Sequence, residues 1–348
     1  MLNFTDIKLN KIIVHHVGNK NKNEGIKLSK HLLNIKEDFI RTMLLQYFLN
    51  PFKTEALFHF MDNENIENNV IYRYASEIFN DLNSFTKESH NIAKHLYSQS
   101  EHPKIKGGEF YVVYFKDIVI EDEITDAIGL FKSENKDTYL KVYQNSENFE
   151  IGSDEGINVN KLDKGCLIFN TEKENGYMVA MVDNTSKINE SQPWKDDFLK
   201  LKPREDNFFH TQSMLNVCKD FCDQVLIDDE ELSRQNQILI KDRSLKYFGA
   251  KENFNEKEFE TEVMQEPEII EAFQNYKQQY FENNNTGVSD EFEISANALK
   301  YGKKNFKSVL KLDKNFHVYI HGNPELAQKG FDEDKKMNYY KLFFNEEI

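Results

Sequence analysis

The sequence contains only three cysteines in 348 residues, Cys166, Cys218 and Cys222. An odd number of cysteines in a large chain indicates a reducing compartment rather than a disulfide framework. The chain also lacks an apolar stretch of membrane-spanning length, and its first residues, MLNFTDIKLNKIIVHH, lack a basic-then-apolar signal pattern. We therefore expect a soluble, cytoplasmic protein with no membrane contact.

An excess of positive charge is also missing, because 44 Lys and Arg residues face 59 Asp and Glu residues and the formal net charge is -15. A uniformly basic nucleic-acid binder is thereby excluded, since the average field repels phosphate. The most concentrated positive segment is YGKKNFKSVLKLDK, residues 301–314, with five lysines and one aspartate. We therefore select Lys303, Lys304, Lys307 and Lys311 as candidate phosphate contacts, with a solvated strand face as the alternative interpretation.

A second candidate segment is HPKIKGGEFYVVYF, residues 102–115, in which Lys104 and Lys106 precede a Gly-Gly pair. A phosphate-binding loop needs its glycines after a strand and before a helix, whereas these glycines precede a strand-like run. The context favours a turn that leads into a buried strand. Lys104 and Lys106 remain secondary candidates for phosphate contact.

Hydrophobic residues make up 39% of the chain and aromatic residues 13%, which is typical of a globular protein. Between residues 109 and 183, strand-like segments joined by short turns predict a largely antiparallel sheet with helices over one face, an α+β fold. Helical patterns follow, and the chain ends in strand-like segments. We predict an N-terminal α+β domain over 1–200, a helical segment over 201–285 and a small β-rich C-terminal unit over 286–348.

Two groups of residues could carry chemistry, and both have simpler interpretations. Cys218 and Cys222 are four residues apart on an apolar helix stripe downstream of His210, which favours core thiols over a metal site. Asp126, Glu134 and Lys136 resemble the spacing of metal-dependent PD-(D/E)xK nucleases, but Glu134 lies in the polar stretch SENKD, which is typical of a solvated turn. We expect no catalytic residues, metal or cofactor.

Several longer stretches occur in a consistent order along nearly the whole chain. They include KIIVHHVGNKNKNEGIKLS, IAKHLYSQSEHPKIKGGEFYVVYF, DAIGLFKSENKDTYLKV, GINVNKLDKGCLIFNTEKENGY and KSVLKLDKNFHVYIHGNPEL. Together they resemble the bacterial nucleoid-associated protein family of the NdpA type. The resemblance implies association with the bacterial nucleoid and binding of double-stranded DNA, without a recognised enzymatic activity or catalytic residues to transfer.

From the residues and the resemblance together, we expect a non-enzymatic nucleoid-associated protein. It would bind double-stranded DNA of the bacterial chromosome without strong sequence preference, because lysines neutralise phosphates without reading bases. Other nucleoid proteins and a second copy of the chain are further expected partners. An acidic protein–protein adaptor recruited to the nucleoid by its partners is the first alternative, and a metal-dependent nuclease is the second.

Overall fold

The computed structural model of the chain describes residues 2–53, 56–121, 123–146, 148–185, 192–225, 234–284, 286–306, 309–312, 315–320 and 326–346. The chain divides into two compact units, Met1–Arg204 and Glu205–Ile348. The three-domain division drawn from the sequence stays a prediction. Among the helices of the described ranges, none combines the length and the apolar character needed to cross a membrane.

The first unit contains a large sheet and a separate hairpin. Its strands are β1 (Lys8–Val17), β2 (Ile26–Lys27), β3 (Leu57–Phe60), β4 (Gly108–Ile120), β5 (Glu123–Ser133), β6 (Asp137–Asn145), β7 (Asn148–Gly156), β8 (Lys164–Phe169), β9 (Met178–Asp183) and β10 (Leu201–Pro203). Eight of them form one sheet in the order β10-β3-β9-β8-β5-β4-β1-β2, and every neighbouring pair is antiparallel. The α+β class with a largely antiparallel sheet is thus confirmed. Strands β6 and β7 pair with each other in a sheet of their own.

Helices cover both faces of the eight-stranded sheet. They are α1 (Asp38–Leu49), α2 (Val70–Asn80) and α3 (Phe85–Gln99). Helices α2 and α3 pack in one core cluster, while α1 packs in a second cluster with the opposite faces of the strands. Asn69 begins α2 by accepting hydrogen bonds from the backbone N–H groups of Ile71 and Tyr72.

The expectation that helices cover only one face was therefore wrong, and β4 shows the physical reason. Phe110 and Val112 of this strand belong to the cluster with α2 and α3, whereas Tyr111 and Val113 belong to the cluster with α1. Successive side chains of a strand point to opposite faces, so an uninterrupted apolar strand needs cover on both sides.

The second unit combines helices with short strand pairs. Its elements are α4 (Asn207–Gln224), α5 (Arg234–Ala250), β11 (Asn253–Asn255), α6 (Glu256–Phe259), α7 (Pro267–Asn284), β12 (Glu291–Glu293), α8 (Ala296–Gly302), β13 (Val309–Leu312), β14 (Phe316–Tyr319), β15 (Ala327–Asp332) and β16 (Met337–Leu342). The strands pair as β11-β12, β13-β14 and β15-β16, all antiparallel. Phe254 stacks on Phe248 and on Phe292, with ring centroids 5.6 Å and 4.7 Å away, at the centre of the helical core.

The two cysteines of α4 are part of this helical core. Cys218 and Cys222 are both fully buried, so their interpretation as core thiols is confirmed. Burial raises the pKa of Cys222 to about 12 and holds the pKa of Cys218 well above its ordinary value. Cys166 is equally buried in β8. Because the thiolate is the reactive form, all three groups are protected both by burial and by protonation.

We therefore expect the native protein to react very slowly with a maleimide or an aromatic disulfide at neutral pH. Addition of guanidinium chloride should release three reactive thiols per chain, since unfolding removes both protections. The measurement is a thiol titration followed over time, with the denatured protein as the internal control. A thiol that reacts in the native state as fast as free cysteine would contradict the assignment of that cysteine to the core.

Candidate nucleic-acid interface

The lysine-rich segment of the second unit begins at the end of α8. Ser295 caps this helix, since its side chain accepts from the backbone N–H of Ala298. The buried Gly302 ends it, and a Cβ atom there would lie 2.6 Å from Cδ1 of Leu215 on α4. Glycine therefore allows α8 to approach α4 closely. This contact fixes the point at which the chain emerges as a 3₁₀ turn containing Lys303 and Lys304.

Three exposed lysines lie together at this helix end. Lys303 and Lys304 follow Lys300, which occupies the last turn of α8, by three and four residues. This spacing places side chains on one face of a helical segment. Nζ of Lys304 lies 5.6 Å from the ring centroid of Tyr301. Lys300 was missed from the sequence, and its helical spacing to the next two lysines was the signal that could have identified it.

A number of lysines in the described part of the chain form ion pairs with carboxylates, for example Lys8, Lys161 and Lys336, but the three at this helix end do not. Among the described residues, no carboxylate lies within ion-pair distance of Lys300, Lys303 or Lys304. From Ile294 to Leu312 the sequence contains five lysines and no acidic residue. Their charges are therefore not neutralised locally, and an external anion is the partner that this surface would attract. We call Lys300, Lys303 and Lys304 the lysine turn.

The other two lysines selected from this segment, Lys307 and Lys311, follow the lysine turn in the sequence. Lys307 lies outside the described residues. Lys311 lies in β13, where its backbone pairs with that of His317 in β14. The placement of Lys307 and Lys311 on one strand face stays a prediction.

Lys104 and Lys106 lie in the first unit, in the loop that precedes β4, and both are exposed. The two glycines that follow them, Gly107 and Gly108, allow the backbone to approach neighbouring atoms closely. A Cβ atom on Gly108 would lie 1.8 Å from the carbonyl oxygen of Ser133, and one on Gly107 would lie 2.7 Å from Oε2 of Glu24. The Gly-Gly pair thus allows the loop to pack against its neighbours before the strand begins, in agreement with a turn.

A buried ion cluster anchors this loop to the sheet. Lys132 of β5 and Lys164 of β8 are directly opposite each other in the antiparallel register. Their Nζ atoms lie 3.1 Å and 2.7 Å from Oε1 of Glu134, and all three side chains are at least 94% buried. Nζ of Lys132 also donates to the carbonyl oxygen of Lys106 at 2.8 Å. Glu134 therefore offsets the repulsion between two buried lysines and helps to hold the loop that contains Lys106.

Burial lowers the pKa of Lys132, and the charge of Lys164 lowers it further, whereas Glu134 acts in the opposite direction. The expectation that Glu134 lies in a solvated turn was wrong, because its side chain is only 3% exposed. Although the neighbouring residues are polar, the carboxylate of Glu134 points into the protein interior and not into solvent.

The other two residues of the nuclease-like spacing have different partners. Asp126 accepts a hydrogen bond from the hydroxyl of Tyr114 at 2.7 Å, and Lys136 pairs with Oε1 of Glu109 at 2.8 Å. Within the described ranges, no group of three His, Cys, Asp or Glu side chains is arranged to hold a metal ion. Glu134, the central residue of the nuclease-like spacing, forms ion pairs with Lys132 and Lys164.

Comparison with known proteins identifies one family over almost the whole chain. The family model described as nucleoid-associated protein YejK matches residues 13–337. The matched range covers most of both units and includes the lysine turn, Lys104 and Lys106. No curated protein matches the chain.

The buried ion cluster leads to a stability prediction. Glu134→Gln removes the carboxylate charge that Lys132 and Lys164 both contact, so we expect a loss of about 3–5 kcal/mol in the free energy of unfolding. Lys136→Gln is the matched control, because its ion pair is half exposed and should contribute less than about 1 kcal/mol. Urea denaturation followed by circular dichroism measures both changes. Equal effects of the two substitutions would rule out a special role for Glu134.

Proposed function

The chain belongs to the family of the nucleoid-associated protein YejK, and from this premise we propose that it binds double-stranded DNA without strong sequence preference. The contact surface is the lysine turn together with Lys307 and Lys311. Lys104 and Lys106 form a second, weaker set of phosphate contacts. The protein acts at the nucleoid by binding rather than by catalysis.

The observation that supports this proposal most directly is the unneutralised charge of the lysine turn. An exposed lysine that is already paired with a carboxylate must give up that partner to bind phosphate. Lys300, Lys303 and Lys304 have no such partner among the residues that the structure describes, and the nearest sequence positions contribute no acidic side chain. Binding to phosphate therefore gains counterion release without the loss of an internal ion pair.

The chemistry of these residues also favours binding without base readout. A lysine ammonium is a compact point charge with freely rotating donors, whereas reading a guanine edge requires the fixed fork of an arginine. The lysine turn contains no arginine. The charge of the rest of the chain, which is negative overall, limits the affinity and makes binding strongly dependent on ionic strength.

The test is a change of four lysines, Lys303, Lys304, Lys307 and Lys311, to alanine in the full chain. We expect this variant to bind duplex DNA at least about tenfold more weakly at low salt, to the same extent on unrelated sequences. The slope of log K against log salt should decrease in magnitude by about 0.9 for each phosphate that the variant no longer neutralises. Lys104→Ala/Lys106→Ala should have a smaller effect. Electrophoretic shifts across a salt series measure both quantities.

A control variant separates local contact from overall charge. Lys8, Lys161, Lys335 and Lys336 are all exposed, and each forms an ion pair with a carboxylate. Their replacement by alanine changes the net charge by the same amount, and we expect nearly unchanged binding. Equal weakening by both variants would reject the lysine segment as the DNA site.

The same experiment decides between the proposal and its alternatives. Absence of duplex binding by the unaltered chain at low salt would favour the acidic adaptor. Nicking of plasmid DNA with Mg²⁺ or Mn²⁺ would favour the nuclease. Because Glu134→Ala removes a buried charge, its effect on such cleavage would have to be compared with its effect on folding.

A further inference from the structure

The hairpin of β6 and β7 is separate from the large sheet of the first unit. The two strands pair along nine positions, from Asp137 with Gly156 to Asn145 with Asn148. All their described residues are exposed except Lys141, Gly152 and Gly156, which are half-buried. A two-stranded hairpin of this kind is marginally stable in water when nothing covers it.

One face of this hairpin is apolar and uncovered. Leu140, Val142, Phe149 and Ile151 share it, because the register sets Val142 opposite Ile151 and Gln144 opposite Phe149. Each of the four is between 64% and 72% exposed. We call them the hairpin face. Contiguous exposed apolar side chains of this kind mark interaction surfaces.

On the opposite face of the hairpin, side chains make contacts across the two strands. The rings of Tyr139 and Tyr143 lie over Gly156 and Gly152, where an added Cβ atom would approach them to 3.1 Å and 3.2 Å. Nζ of Lys141 also lies 2.5 Å from Oδ2 of Asp154 across the strands. Tyr139 and Tyr143 are 45% and 51% exposed, so the side chains of the hairpin face are the more exposed of the two sets.

The charge of the hairpin indicates which class of molecule could bind the hairpin face. Residues 137–156 contain five acidic residues and one lysine. A nucleic acid would be repelled by this charge, so the partner is a protein surface that combines apolar side chains with cations.

One sequence segment of the first unit combines exposed apolar and cationic side chains in this way. Leu32, Leu33, Phe39 and Ile40, at the start of α1 and just before it, are between 41% and 72% exposed. The exposed cations Lys27, Lys30 and Lys36 are close to them in the sequence. Residues 26–41 contain four Lys and Arg against two acidic residues, so this surface is positive where the hairpin is negative. We call Leu32, Leu33, Phe39 and Ile40 the receptor face.

We propose that the hairpin face of one copy packs on the receptor face of a second copy, in a symmetric dimer with two such contacts. Each copy then contributes one hairpin face and one receptor face, as an isologous two-fold interface requires. The occupant is a second copy of this chain because both complementary surfaces belong to the same unit and both are exposed in the single chain.

The area available is adequate for a stable dimer. Fully burying one large apolar side chain removes roughly 60–120 Å² from water, and these are on average somewhat more than half exposed. Sixteen such side chains in the symmetric pair therefore bury roughly 900 Å² of apolar area. Apolar atoms contribute about 60% of a typical interface, so the total is roughly 1,500 Å². This value lies within the range of specific protein–protein interfaces.

The first test measures self-association of the full chain without DNA, by sedimentation equilibrium over a wide concentration range. We expect a reversible dimer whose Kd increases at least about tenfold in Leu140→Thr/Val142→Thr/Ile151→Thr, since threonine keeps the strand preference but removes apolar area. The matched control is Ile124→Thr/Phe331→Thr/Met337→Thr, at three apolar positions elsewhere that are each at least half exposed. A protein that is monomeric throughout, or a dimer that the hairpin variant leaves unchanged, overturns the proposal.

The second test identifies the two contacting surfaces. Chains with Ile151→Cys and differently sized chains with Phe39→Cys are mixed and treated with a bismaleimide, to which the three buried natural cysteines contribute little. We expect the mixed product to dominate. If each chain links only to its own kind, the hairpin does not pack on the receptor face. Because neither test uses DNA, failure of the dimer and failure of DNA binding are distinguishable.

Discussion

The eight-stranded sheet must be buried on both faces, and most of the first unit follows from that requirement. Strand β4 contributes alternate residues to two separate core clusters, and β5 and β8 do the same. An antiparallel sheet often leaves one face in water, but the apolar sequence of these strands makes that arrangement unfavourable. Helix α1 therefore covers one face while α2 and α3 cover the other. The loops that join these elements lie at the ends of the strands, and Lys104 and Lys106 lie in the one that precedes β4.

Burial of the sheet on both faces also explains why its buried charged side chains, Lys132, Lys164 and Glu134, lie in contact with one another. Lys132 and Lys164 lie side by side on adjacent strands, so their ammonium groups can be buried only with a shared carboxylate. Glu134 supplies it from the residue that follows β5. Since Lys132 also holds the carbonyl of Lys106, the charged interior and the exposed loop form one connected structure. A residue that resembles part of a catalytic pattern thereby acquires a structural role.

The exposed surfaces of the two units differ in charge and in chemistry. The lysine turn of the second unit is cationic and lacks an internal carboxylate partner among the described residues, which suits a polyanion. The β6-β7 hairpin of the first unit is acidic and apolar, which suits a protein surface of opposite charge. DNA binding and self-association would therefore use different side chains. A nucleoid-associated dimer would present two lysine turns to DNA, and the second contact would benefit from the effective concentration that the first creates.

The sequence by itself determined the properties that depend on local pattern and composition. The strand periodicity and turns predicted the α+β class, the spacing of Cys218 and Cys222 on an apolar stripe predicted core thiols, and long ordered stretches identified the family. The cover on both sheet faces and the burial of Glu134 were decided only by the tertiary structure. The physical reason is that a carboxylate in a polar stretch has the same local sequence signal whether water or two buried lysines surround it. Strand register places Lys132 opposite Lys164, and this contact between distant parts of the chain determines which of the two environments Glu134 has.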